Sequence, residues 1–241
     1  MGVGMVRRFA AEDARVVIGA RQREQVADLL DELGAERGVF ARLDVTSEQH
    51  WTGAVATAEA AFGPVSVLVN NAARAIVGTT MSLTPDVFRE AIDTNLVGTF
   101  LGTRAAVPSM CRRGGGSIVN INSTAGIGAT GELIVGIDDQ LIPRLADVDE
   151  TSSLVLFVAS DDAVYSTGAE FVADGGYLLG PVPARRRGIT WHARCLQPRS
   201  MTALPLTPRR AHHAPPGLGA SGRRSRKHAP GVRPVRVSVP W

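Results

Sequence analysis

Four short runs of mostly aliphatic and β-branched residues limit what this chain can fold into: Arg15 to Ile18 (RVVI), Val39 to Leu43 (VFARL), Val65 to Val69 (VSVLV) and Ser117 to Ile121 (SIVNI). Runs this short and this apolar suit strands buried on both faces of a parallel sheet rather than strands with one wet face. Helical periodicity fills the gaps between them. Val3 to Glu12 carries a stripe of Val6, Phe9 and Ala10, and Glu24 to Leu33 stops at Gly34. A third helix follows Asp44-Val45-Thr46 and runs through Trp51, Val55 and Ala58 to Phe62. A long helical region starts near Pro85, carries Phe88, Ile92, Leu96, Phe100 and Leu101, and closes at Gly114-Gly115-Gly116. Glu150 to Ala159 reads as a further helix and Ala169 to Val172 as a short last strand. This alternation implies βαβ units and an α/β architecture with a doubly wound parallel sheet.

Charge divides the chain near Gly180. All 23 acidic residues lie before Pro181, where the balance is −10, whereas the last 61 residues carry +13 and 10 of the 14 prolines. The expected organisation is therefore one α/β domain over residues 1–180 and a basic, Pro/Arg-rich, largely disordered tail over 181–241. Cys111 and Cys195 are too few and too far apart for a disulfide framework, and Cys195 with His192, His212 and His213 fits no metal-ligand spacing. No apolar run approaches the length of a membrane span and no secretory signal precedes the first helix, so a cytoplasmic chain is expected. The tail could neutralise phosphates, but Trp191 and Trp241 do not interleave with base-reading groups, so nucleic-acid binding is not the expected role.

Six motifs stand in a fixed order. They are Gly2-Val3-Gly4 ahead of a helix and RVVIGAR, Leu43-Asp44-Val45-Thr46, Asn70-Asn71-Ala72-Ala73, Asn95-Leu96-Val97-Gly98, Ser117 to Ser123 (SIVNINS), and Tyr165-Ser166-Thr167-Gly168 with Asp174-Gly175-Gly176. In this order they resemble the short-chain dehydrogenase/reductase family, and the wording is close to its bacterial hydroxysteroid-dehydrogenase-like members. The resemblance implies a Rossmann-like fold, an NADP or NAD cofactor, and oxidoreduction of a small alcohol or ketone, steroid-like compounds among them.

It also implies roles for particular residues. Gly2 and Gly4 would be the last two glycines of the pyrophosphate turn, with the first strand and the earlier glycine falling ahead of Met1. Ala20 and Arg21 follow the strand whose end selects the cofactor, and the arginine favours the 2′-phosphate of NADP unless it is a solvated loop residue. Asp44, with Val45, would hold the adenine, or Asp44 would serve the cap of the next helix. Asn70 and Ala72 would flank the nicotinamide side, and Ala73 stands where the family has glycine, so a positive φ there would be costly. Asn95 would hold a water of the proton relay, and Ser123 would hydrogen-bond the substrate oxygen.

The family's remaining catalytic pair does not align. Thirteen residues after Ser123 the chain has Gly136 instead of tyrosine, and four further on Gln140 instead of lysine. Its tyrosines are Tyr165 and Tyr177, and its one lysine is Lys227. Only 42 residues separate Ser123 from Ser166, about half the family's usual stretch, so an internal segment is expected to be absent.

The sheet is thus expected to be incomplete. The resemblance implies that it lacks the family's first strand, which would lie between RVVI and VSVLV, and the strand that would lie next to SIVNI. Unpaired buried backbone groups cost about 1 to 3 kcal/mol each against a total stability of about 5 to 15 kcal/mol, so poor stability or a rearranged sheet follows. The expected function is an NAD(P)-dependent oxidoreductase with weakened cofactor binding and weak or absent activity. The alternative is a non-catalytic partner of an intact homologue, or a homo-oligomer, associating through the helix at residues 86–113 or the closing strand.

Overall fold

A computed structural model describes residues 1–127 and 140–179, together with the backbone of 236–240. The strands are β1 (Arg15–Ala20), β2 (Gly38–Arg42), β3 (Val67–Asn70), β4 (Ser117–Asn120) and β5 (Arg236–Pro240). They form one sheet in the order β2-β1-β5-β3-β4, and every ladder is parallel.

Side-chain alternation along the strands divides the core into two layers. On one face Val16, Ile18, Val67 and Val69 meet α1 (Gly2–Ala11), α2 (Ala27–Leu33) and α6 (Val148–Ala159) through Met5, Val6, Phe9, Leu29, Leu30, Leu33 and Val155. On the other, Val17, Ala41 and Leu68 meet α3 (Glu48–Phe62) and α5 (Gly98–Arg113) through Trp51, Ala54, Ala58, Phe62, Ala106 and Met110. This is the Rossmann-like doubly wound sheet that the alternation of runs predicts.

Local chemistry sets the helix ends. Ser47 caps α3 by accepting from the His50 amide at 3.3 Å. Thr84 caps α4 (Pro85–Ile92), whose first residue is proline. Asp147 and Glu150 form a reciprocal capping box at the start of α6. Gly114, at φ 93°, ends α5 in the left-handed conformation that glycine adopts without strain. Between α4 and α5, Asp93–Val97 forms one wide turn in which the Gly98 amide bonds back to the Asp93 carbonyl.

Three sequence expectations need correcting. The long helix after Pro85 is interrupted by that wide turn. Ala169–Val172 is not a strand: among the described residues no strand lies beyond β4 to pair with it, and Phe171 instead sets its ring edge-on to Phe157 of α6, with centroids 6.3 Å apart. The third correction concerns the tail and the central gap. The slot between β1 and β3 is filled by Arg236–Pro240, part of the tail expected to be disordered. The signal was present in Val235, Val237 and Val239, which alternate with Arg236 and Ser238 but sit in a stretch dominated by arginine and proline. The remainder of the tail, residues 180–235, lies outside the described residues, as does Gly136. Among the described residues no helix is long and apolar enough to cross a membrane, and no group of His, Cys, Asp and Glu is placed to hold a metal ion.

Candidate functional site

In a parallel sheet all strands deliver their carboxyl ends to one edge, and ligands of open α/β folds bind outside that edge. Here the edge carries Ala20, Arg42, Asn70 and Asn120. Helix α1 leads into β1 and runs antiparallel to it, so its first turn returns to the same edge. A Cβ on Gly2 would stand 3.3 Å from Asn71 Nδ2. Among the described residues no side chain caps this helix start, and Gly2 and Gly4 are both buried. Gly4, one half-turn on, faces the opposite constraint. A Cβ there would run into Val148 and stand 3.1 Å from Ser152 Oγ, so this glycine is needed for α1 to lie against α6.

Ala20 is fully buried at the end of β1, and its carbonyl accepts from the Leu43 amide at 2.8 Å. Arg21 is exposed beside it. Asp44 is half-buried; its Oδ1 accepts from the Thr46 amide at 3.0 Å and the Thr46 hydroxyl at 2.7 Å. Those two bonds hold the carboxyl below the usual aspartate range, with smaller contributions from His50 and Arg21. The cap of α3 belongs to Ser47, so Asp44 shapes the loop before it. Val45 is buried; its carbonyl accepts from Trp51 Nε1 at 2.9 Å, and its side chain leaves room at Gly98 for hydrogen only, since a Cβ would lie 3.0 Å from Val45 Cγ2.

Asn70 is buried and donates from Nδ2 to Asn120 Oδ1 at 2.8 Å, tying the ends of β3 and β4 together. Its Oδ1 is buried without a partner. Sequence reasoning missed Asn120, although an Asn at the end of each of two neighbouring strands was the signal. Val45, Trp51, Asn70, Ala72, Thr94, Gly98 and Thr99 together line a shallow recess beside the sheet edge. Ala73 carries no positive φ; among the described residues Asp13 is the only non-glycine that does, so the alanine imposes no strain.

Asn95 lies in the wide turn, and its amide clasps one backbone unit of the loop after β3. Oδ1 accepts from the Arg74 amide at 2.7 Å and Nδ2 donates to the Arg74 carbonyl at 3.0 Å. The Arg74 side chain pairs with Glu90 at 2.7 Å, which adds a second tie to the same loop. Ser123 is exposed and caps a short turn, accepting from the Ala125 amide at 3.2 Å. Gln140 lies near Gly175, where a Cβ would stand 2.8 Å from Gln140 Oε1, and it offers no cation. Tyr165 is fully exposed, so no phenol from that position is built into the edge.

The model of the family described as short chain dehydrogenase matches residues 1–134. A 3-alpha-(or 20-beta)-hydroxysteroid dehydrogenase of Mycobacterium tuberculosis is 35% identical over 231 aligned positions, which take in 75% of this chain and 86% of that relative. Those positions outnumber the residues this chain supplies, so part of the relative faces a gap. Trans-4-hydroxycyclohexanecarboxylate dehydrogenase of Sinomonas cyclohexanicum is 31% identical, covering 75% of this chain and 89% of its own. NADP-dependent (R)-specific alcohol dehydrogenase of Lentilactobacillus kefiri is 27% identical, covering 73% and 92%. The crystal structure of a short chain dehydrogenase from Bacillus anthracis superposes with a TM-score of 0.69 over 75% of this chain and 93% of that one, at 23% identity.

Proposed function

The chain belongs to the short-chain dehydrogenase family, and from that premise we propose that it is an NAD(P)-binding oxidoreductase of small alcohols or ketones whose turnover is weak or absent. What supports this reading is an asymmetry along the sheet edge: among the described residues there are groups that could serve an adenosine and pyrophosphate, and there is no tyrosine–lysine pair for the reacting end.

At the first end, the start of α1 at Gly2 and Gly4, which no side chain caps, suits a pyrophosphate, and Val45, next to Asp44 in sequence, lines the recess where an adenine would lie. Arg21, exposed after Ala20, suits a 2′-phosphate and gives NADP the preference over NAD. The orphaned Oδ1 of Asn70, beside Ala72, is a buried acceptor awaiting a donor.

When bound, the dinucleotide supplies a hydride to a carbonyl carbon, or removes one from a carbinol. Reduction then leaves the electron pair of the C=O π bond on oxygen, and that oxygen needs a proton from the protein. Ser123 can donate one hydrogen bond to it, and the Asn95 amide is already committed to Arg74. With Gly136 and Gln140 at the positions of the family's tyrosine and lysine, neither a phenol nor a lysine ammonium is there to lower its pKa or deliver the proton. A hydroxysteroid-like or cyclohexanol-like substrate is proposed from the relatives' substrates, and a cytoplasmic location from the cofactor class and the exposed free thiol of Cys111.

The test is oxidation of NADPH and NADH by the purified chain against a panel of cyclic and steroid ketones. Rates at the buffer background agree with the proposal, and robust turnover refutes its catalytic half. A second reading has its own observation. Phe88, Ile92, Leu96 and Phe100 recur every four residues along α4, the wide turn and the start of α5, and all four are exposed, Leu96 to 64%. An apolar stripe of this kind suits a helix-to-helix interface with a second copy or an intact homologue. Sedimentation of the chain alone and mixed with such a homologue tests it; a monomer in both samples counts against it.

A further inference from the structure

The middle strand of this sheet comes from the far end of the chain. Arg236–Pro240 lies parallel to both neighbours, with five residues in register against β1 and two, Val237 and Ser238, against β3. The strands that flank it are among the most deeply buried segments of the protein: Val16, Val17, Ile18, Val67, Leu68 and Val69 are all 3% exposed or less. With the slot filled, the backbone groups of β1 and β3 that face it are shut off from water and are met by the main chain of β5.

Such a slot recognises backbone rather than side chains. Its two edges stand about 9.5 Å apart, two strand spacings, and offer donors and acceptors on both sides. The register narrows what fits. The ladder to β1 ends with Pro240 opposite Gly19, where the missing N–H of proline stops it from donating further along the ladder. The parallel direction brings the end of β5 to the sheet edge that carries Ala20 and Asn70, so occupying the slot and shaping that edge are linked.

We infer that the slot between β1 and β3 is a peptide-binding site whose ligand is an extended five-residue segment added in parallel. The chain's own residues 236–240 fill it in cis, and the same sequence fills it as a separate peptide when the tethered copy is broken. The inference concerns the sheet alone and stands whether or not the chain binds a dinucleotide.

The test uses the full chain and hydrogen exchange of its amides. Ser238 stands in register with Val17 on one side and Leu68 on the other, so Ser238→Pro removes a donor at the position shared by both ladders. Amides of Arg15–Ala20 and Val67–Asn70 are expected to exchange on the order of tenfold faster in the variant. An excess of a synthetic peptide of residues 235–241 restores their protection, and the same peptide with proline in place of Ser238 does not. Unchanged protection in the variant, or no recovery with peptide, overturns the inference, and so does a variant that is unfolded and stays so. The unmodified chain gives a second readout. Amides of Val237–Val239 are expected to be protected together with those of β1, and exchange there at the rate of a free peptide overturns the cis arrangement.

Discussion

Replacing Gly4 with alanine tests how closely α1 lies on α6. In the structure a Cβ at that position falls within the Val148 side chain and 3.1 Å from Ser152 Oγ. Ser152 is fully buried and donates to the Val148 carbonyl at 2.7 Å, so it cannot turn aside without leaving a polar group unpaired. Overpacking of this kind costs about 1 to 3 kcal/mol. The better helix propensity of alanine returns up to about 1 kcal/mol, because Gly4 lies inside α1. With the full propensity gain a net loss of up to about 2 kcal/mol remains, which for a domain of this size lowers the melting temperature by up to about 8 °C. Val148→Ala removes the obstructing methyls, so Gly4→Ala made in that background is expected to be neutral or stabilising. The coupling between the two changes, read by urea denaturation of both single variants and the double variant, is then the steric cost of about 1 to 3 kcal/mol. If Gly4→Ala alone raises stability by the helix-propensity amount, α1 and α6 are not in the contact described, and the packing argument fails.

Other outcomes follow from single contacts. Trp51→Phe leaves the Val45 carbonyl without its indole donor and should cost about 1 to 3 kcal/mol in urea unfolding. Asn95→Ala frees the Arg74 backbone unit, so exchange of the Arg74 amide should quicken while the core strands stay protected; unchanged exchange there would show that the clasp does not hold the loop. Glu150 is held down to about 2, first by the Arg144 guanidinium and then by the Asp147 amide. A depressed folded value means that its contribution to the start of α6 is complete above the ordinary value of 4.5 and fades as pH falls toward 2. The pair is exposed, so the effect should be local: NMR shifts at Asp147–Glu150 should move in that window, and Glu150→Gln should abolish the transition.

The architecture was legible wherever strand and helix patterns were backed by neighbours in sequence. RVVI and VSVLV became buried strands because both of their faces are apolar, and the stripe of Val6, Phe9 and Ala10 faces the core as its spacing required. Ala169–Val172 has strand-like residues, yet a ladder depends on a partner elsewhere in the chain, and no local pattern reports whether one exists. Arg236–Pro240 shows the converse, a strand hidden by the composition around it. At the site, the sequence singled out Asp44, Asn70 and Asn95, but it could not show how their side chains are engaged. That Asn95 grips Arg74, or that Asn70 spends its amide on Asn120, follows from how the loops after β3 and β4 fold back. Packing glycines such as Gly4 and Gly98 are likewise indistinguishable in sequence from glycines of a binding turn.

A fluorescence titration of NADPH into the purified chain tests directly the proposal that the chain binds its cofactor without the groups for turnover. Saturable binding that weakens in Asp44→Ala and in Arg21→Ala is the predicted result. Absence of saturable binding by the folded chain, or binding indifferent to both substitutions, would contradict it.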